Sequence, residues 1–133
     1  MDEIRQMLIV AAGGALGSVA RYRLSGWVLQ HAIDWRFPLG TFVVNVVGCL
    51  VVGILAGLAV KEDFFSTDLR LLLFTGMMGG FTTFSAFGLE TFYLLRRGEY
   101  WVAGGNMVLS VTVGMLALYA GFQLIAAHAA NAG

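Results

Sequence analysis

The densest chemistry in the chain lies in one run, Gly76-Met77-Met78-Gly79-Gly80-Phe81-Thr82-Thr83-Phe84-Ser85-Ala86-Phe87. Two adjacent glycines followed by two β-branched threonines make a poor helix. Such a run is either a continuous helix packed through its glycines or a helix broken near 79–83, whose freed carbonyls and amides must be satisfied by protein, water or an ion. Phe81, Phe84 and Phe87 recur every three residues and share a face. A stripe of this kind ordinarily faces lipid or core. Beside Thr82, Thr83 and Ser85 it admits a second reading, because the edge of an aromatic ring is positive and can meet a small anion next to hydroxyl donors.

Other polar residues fall on small-residue stripes: Gly13 and Gly17 lead to Arg21, Asn45 leads to Cys49, Gly53 and Gly57, and Asn106 leads to Ser110 and Gly114. Spacing by four puts each set on one helix face. The stripes read either as close helix packing or, at Asn45, Asn106 and Ser110, as the wall of a wet path, since an amide or hydroxyl finds few partners in lipid. Arg21 and Glu90 are expected near the same end of the bundle, where they could neutralise one another or form a polar vestibule. His31 and His128 fall in a loop and a tail, and neither reads as a ligand. No pairing of nucleophile with base, phosphate loop or metal-ligand cluster appears, which argues against an enzyme.

These residues are carried by elements that water does not suit. The 133-residue chain is 59% hydrophobic and 12% charged, about half the charged fraction of a soluble domain. Leu39 to Val60, Leu71 to Leu89 and Val102 to Ala127 hold no charged residue, and each approaches or exceeds the roughly 20 residues that cross a hydrocarbon core. A first span starts near Gln6, with Arg21 roughly 20 Å along it and toward the far interface. The expectation is an all-α membrane protein in which residues 1–133 form one transmembrane domain, with spans at about 6–30, 39–60, 69–95 and 100–127. Loops fall near His31 to Pro38, Lys61 to Asp68 and Arg96 to Tyr100, and Pro38 is placed to begin the second helix. The acidic Asp2 and Glu3 and the lack of an A-x-A site argue that the first helix is not a cleaved signal peptide. Cys49 reads as small core packing. Arg5, Lys61 and Arg70 lie on one side of the membrane and Arg21, Arg23, Arg36, Arg96 and Arg97 on the other, so charge barely specifies orientation.

At these positions the chain resembles the fluoride ion channel family (Fluc, also called CrcB). The resemblance rests on Gly13-Gly14-Ala15-Leu16-Gly17 through Arg21-Tyr22, on Gly40-Thr41-Phe42-Val43-Val44-Asn45 with Gly48, on Gly79 to Phe87 with Glu90, and on Gly98, in that order over nearly the whole chain. It implies an antiparallel, dual-topology homodimer of four-helix subunits in a bacterial inner membrane, with the third helix broken near the midplane. Two fluoride pathways would run between the subunits and export fluoride passively. The resemblance places Phe84 and Phe87 on the pathway as its aromatic pair and Asn45 as its amide, with Thr41, Thr82, Thr83, Ser85 and Ser110 along a polar track. It assigns a structural sodium ion at the dimer centre to the backbone carbonyls of Gly79 and Thr82. Arg21 and Glu90 match further motif positions.

The chain departs from the family pattern at Ala86 and Gly88, where hydroxyl residues are common, at Gly114, which is serine in some members, and at Asn106, in place of an aromatic. An alternative from another class is a proton-coupled transporter resembling the small multidrug resistance proteins. Those require a carboxylate within the first span, and this first span has none.

Overall fold

The computed structural model describes residues 2–32, 36–60 and 64–131, and within them the chain is all helical. Its elements are α1 (Asp2–His31), α2 (Leu39–Ala59), α3 (Thr67–Arg70), a π-helix (Leu71–Met78), α4 (Gly79–Phe81), α5 (Phe84–Arg96) and α6 (Tyr100–Asn131). α3, the π-helix, α4 and α5 follow one another along a single long span. Parts of the first two expected loops, residues 33–35 and 61–63, lie outside the described residues.

Leu39–Ala59, Thr67–Arg96 and Tyr100–His128 are long and apolar enough to cross a membrane. The chain is therefore a multi-pass membrane protein. α1, expected as a fourth span, has 30 residues and thus the reach, but not the same apolarity. Ser18, Arg21, Arg23 and Ser25 dilute its second half. Its place beside the others comes from packing. The α1 glycines meet the third span backbone to backbone: a Cβ on Gly13 would lie 2.9 Å from the Gly76 Cα, and one on Gly80 would lie 3.0 Å from the Gly14 Cα. α2 and α6 meet in the same way, with a Cβ on Gly53 falling 3.0 Å from the Phe122 amide nitrogen. In lipid, where burying apolar surface between helices gains little, such close approach is what holds helices together. The Gly53 and Gly57 stripe is thus packing surface.

Helix ends follow local chemistry. Ser66 caps α3 by accepting from the Leu69 amide at 3.3 Å, and Arg5 of α1 pairs with Asp68 in that first turn. Pro38 stands one residue before α2, its carbonyl taking the Phe42 amide at 3.1 Å. After α5, Gly98 adopts φ +77°, and the Gly98 and Glu99 amides return to the Leu95 and Leu94 carbonyls at 3.0 and 2.9 Å. That closing motif needs a left-handed residue, which glycine adopts without strain. The interior is small, centred on Val44, Met78 and Phe81. Large apolar side chains such as Trp101 and Phe84 point outward, as suits a chain whose surroundings are lipid or another protein.

Candidate functional site

Gly79 and Gly80 remain helical, and the departure from helix falls just after them. Thr82 has φ −81°, ψ 158° and Thr83 φ −150°, ψ 117°, both extended. Gly80 packs closely against α1, whereas Gly79 is exposed, and the β-branched threonines take the extended geometry they favour. Each backbone group at the interruption has a distinct fate. The Thr82 amide and hydroxyl both donate to the Met78 carbonyl, at 3.0 and 2.8 Å, ending the first half. The Thr83 hydroxyl accepts from the Ala86 amide at 3.2 Å and so caps α5.

Between these caps, Asn45 of α2 supplies the missing pairing. Its Oδ1 accepts from the Thr83 amide at 2.8 Å and its Nδ2 donates to the Thr83 carbonyl at 2.9 Å. A side-chain amide here does what a neighbouring strand would do. Because the Thr83 amide is taken by Asn45, it does not close a helical turn onto the Gly79 carbonyl. That oxygen therefore lacks the partner a continuous helix would give it, and Thr82, which follows three residues on, is extended. Among the described residues there is no group of three or more His, Cys, Asp or Glu side chains that could hold a metal ion.

Two cavities flank the interruption, and Thr83 lines both. The larger, about 640 Å³, is bordered by Arg21, Thr41, Thr83, Ser85 and Glu90. The smaller, about 290 Å³, is bordered by Asn45, Cys49, Thr82, Thr83 and Phe84. Buried Thr41 donates to Glu90 Oε1 at 2.7 Å. Arg21 and Glu90 share the larger cavity, but among the described residues the salt bridges are Arg5–Asp68 and Arg97–Glu99, so the expected neutralisation is not a direct ion pair. Arg21 sits on α1 and the Glu90 carboxylate is turned toward α2 by Thr41.

Phe84 opens α5 and is 83% exposed. Phe87 lies one turn on, with ring centroids 5.6 Å apart and planes tilted by 43°. The Thr83 and Ser85 hydroxyls lie 3.4 Å apart beside them. Ser110 borders neither cavity; it reaches this turn indirectly. Its hydroxyl donates to Asn106 Oδ1 at 3.1 Å, Asn106 Nδ2 donates to Thr91 Oγ1 at 2.8 Å, and Thr91 donates to the Phe87 carbonyl at 2.8 Å. Asn106 is 1% exposed, which places it in the α5–α6 contact instead of on a wet wall. Thr91 was not singled out from sequence. Its signal is spacing, since a threonine four residues after Phe87 can bond back to that carbonyl.

The sequence profile of the family described as CrcB-like protein, Camphor Resistance (CrcB), matches residues 8–122. A protein of Methylobacillus flagellatus named Fluoride-specific ion channel FluC is 59% identical over 120 residues, which is 90% of this chain and 94% of that one. Proteins of the same name from Rhizobium etli and Desulfotalea psychrophila are 48% and 42% identical, each over 92% of this chain and over 97% and 93% of their own lengths.

Proposed function

The chain belongs to the CrcB family, whose relatives cited above are named as ion channels and not as enzymes, and from that premise we propose that it conducts fluoride passively across a bacterial inner membrane as an antiparallel homodimer with two pathways between subunits. The observation that carries this reading is the Asn45-clamped interruption at Thr82 and Thr83, with hydroxyl-lined space on one side and the Phe84 and Phe87 rings beside it. Fluoride enters past Arg21, Thr41 and Glu90. There the arginine offsets the carboxylate, one oxygen of which is already occupied by Thr41. It exchanges part of its water for the hydroxyls of Thr83 and Ser85 and for the second Nδ2 hydrogen of Asn45, which the clamp leaves over, and it would meet the Ser110 hydroxyl, which borders neither cavity of the single chain, between the subunits. The exposed ring of Phe84 and that of Phe87 present their positive edges to it. Selectivity over chloride follows from a narrow path whose donors suit a small, strongly hydrogen-bonding anion.

The Gly79 and Thr82 carbonyls would hold a sodium ion at the dimer centre, where it supplies fixed positive charge between the two anion paths. Gly79 is exposed on the single chain, so a second copy can bring its own pair to the same point. Near-balance of basic residues across the membrane supports insertion in both orientations. Purified protein in which sodium is replaced by N-methylglucamine should lose dimer, read by light scattering, and regain it on sodium return. A dimer indifferent to sodium would remove the ion from the proposal.

The central test is efflux from liposomes containing the purified chain, read with fluoride and chloride electrodes: fluoride leaves and chloride stays. In the same assay Phe84→Ile together with Phe87→Ile lowers fluoride flux at least about tenfold, the loss expected when the transition loses contacts totalling about 1.4 kcal/mol, while the dimer persists. Undiminished flux would remove the aromatic role.

A further inference from the structure

The hydrogen-bonded run from Ser110 to Phe87 has a polarity, and its polarity can reverse. A serine hydroxyl has one proton. In the arrangement described, that proton goes to Asn106 Oδ1, so Ser110 turns only lone pairs toward its surroundings, which would repel an anion. Asn106 is an amide whose two ends are nearly the same size, and rotation by half a turn exchanges its donor and acceptor. Thr91 can serve either end, because its hydroxyl both donates and accepts.

Building on the fluoride-conducting reading, we propose that Asn106 is a positioning residue, an amide switch that releases the Ser110 proton to a passing fluoride ion. In the resting polarity, Ser110 donates to Asn106, Asn106 to Thr91 and Thr91 to the Phe87 carbonyl. In the reversed polarity, Asn106 Nδ2 donates to Ser110 Oγ, Thr91 donates to Asn106 Oδ1, and the Ser110 proton points to the anion. No covalent bond changes and no proton leaves its residue. The Phe87 carbonyl gives up the Thr91 hydroxyl but keeps its helical amide partner, so reversal orphans no backbone group.

The count of hydrogen bonds decides when reversal occurs. The resting run contains three. The reversed run contains two without an anion and three with one, the third being charge-assisted and stronger. Fluoride therefore selects the reversed state by its differential interaction, and the run returns when the ion leaves. The setting favours such a device: Asn106 and Thr91 are 1% and 6% exposed, so water does not compete for the amide. The Ser110–Asn106 bond, at 3.1 Å, is the longest of the three.

Two measurements test this. In a fluoride titration of the 15N-labelled dimer, the Asn106 side-chain amide signals should move with saturation, and in Ser110→Ala they should stay put. In liposome efflux, Ser110→Ala should cost about tenfold. Asn106→Leu, which ends the competition for the Ser110 proton, should raise flux by about threefold, as loss of a weak neutral bond allows. Adding Ser110→Ala to that variant should then cost more than it does in the native chain. Amide signals indifferent to fluoride, or a fall in flux in an assembled Asn106→Leu dimer, would overturn the switch. So would equal Ser110→Ala costs in both backgrounds. If Asn106→Leu does not assemble, the titration alone decides. A Ser110→Ala dimer with native flux sinks the switch and spares the channel; a native chain that passes no fluoride sinks both.

Discussion

Asn45→Leu should lower fluoride efflux by two orders of magnitude or more and destabilise the protein by about 2–6 kcal/mol, since it orphans one donor and one acceptor at about 1–3 kcal/mol each. The reason is position. The amide of Asn45 holds both backbone groups of Thr83, at 2.8 and 2.9 Å, and Thr83 is the residue that caps α5 and aims Phe84. Leucine has the same branching and number of heavy atoms and offers neither bond. The interruption is then left with an unpaired N–H and C=O in a low-dielectric setting, where it either draws in water or rewinds toward helix. Both outcomes move the Thr83 and Ser85 hydroxyls relative to the rings. The measurement is efflux in liposomes together with the midpoint of denaturation in mixed micelles. A variant with native flux would show that the Thr83 geometry does not depend on α2.

Gly17→Ala should impair folding through the addition of a single carbon. A Cβ at Gly17 would run into the Met77 carbonyl and would stand 2.9 Å from the Phe81 amide nitrogen. Both are backbone atoms and cannot swing aside, so the helices must part. Overpacking of this kind costs about 1–3 kcal/mol, and here it strikes α1 where the third span approaches the interruption. The expected result is a marked loss of folded protein and of its denaturation midpoint. Gly26→Ala on the same helix is the control. A Cβ there meets nothing within 4 Å, and the change should stay within about 0.5 kcal/mol. Equal tolerance of both substitutions would mean that the α1 contact is looser than the glycine geometry indicates.

The π-helix at Leu71–Met78 and the α1 contacts bear on the same point. In water, glycines in mid-helix weaken a span, and Gly76, Gly79 and Gly80 could be taken for the weak point itself. Here the bundle recovers that loss through close approach. Gly13 meets Gly76 and Gly14 meets Gly80, so the glycine pair stays helical and the extended backbone begins two residues after Gly80, at Thr82 and Thr83.

What the sequence determined by itself was whatever depends on local composition and short periods. The uncharged stretches around Val44, Met78 and Ser110 had to leave water. A connection had to fall at Arg96 to Tyr100, between two uncharged stretches, although the positive φ of Gly98 that closes the turn is a finding of the structure. The run from Gly76 to Phe87 had to be the unusual part of its span, because no other stretch joins paired glycines to paired threonines. The tertiary structure alone decided how polar atoms pair across helices. Asn45 is 38 residues from Thr83, Thr41 is 49 from Glu90, and Asn106 is 15 from Thr91. A hydrogen bond depends on a few tenths of an ångström and a direction in space, and neither is encoded in spacing along one helix. That is why Arg21 and Glu90, well matched by charge, share a cavity without joining, while Asn106 turns inward to a threonine that its own helix never approaches in sequence.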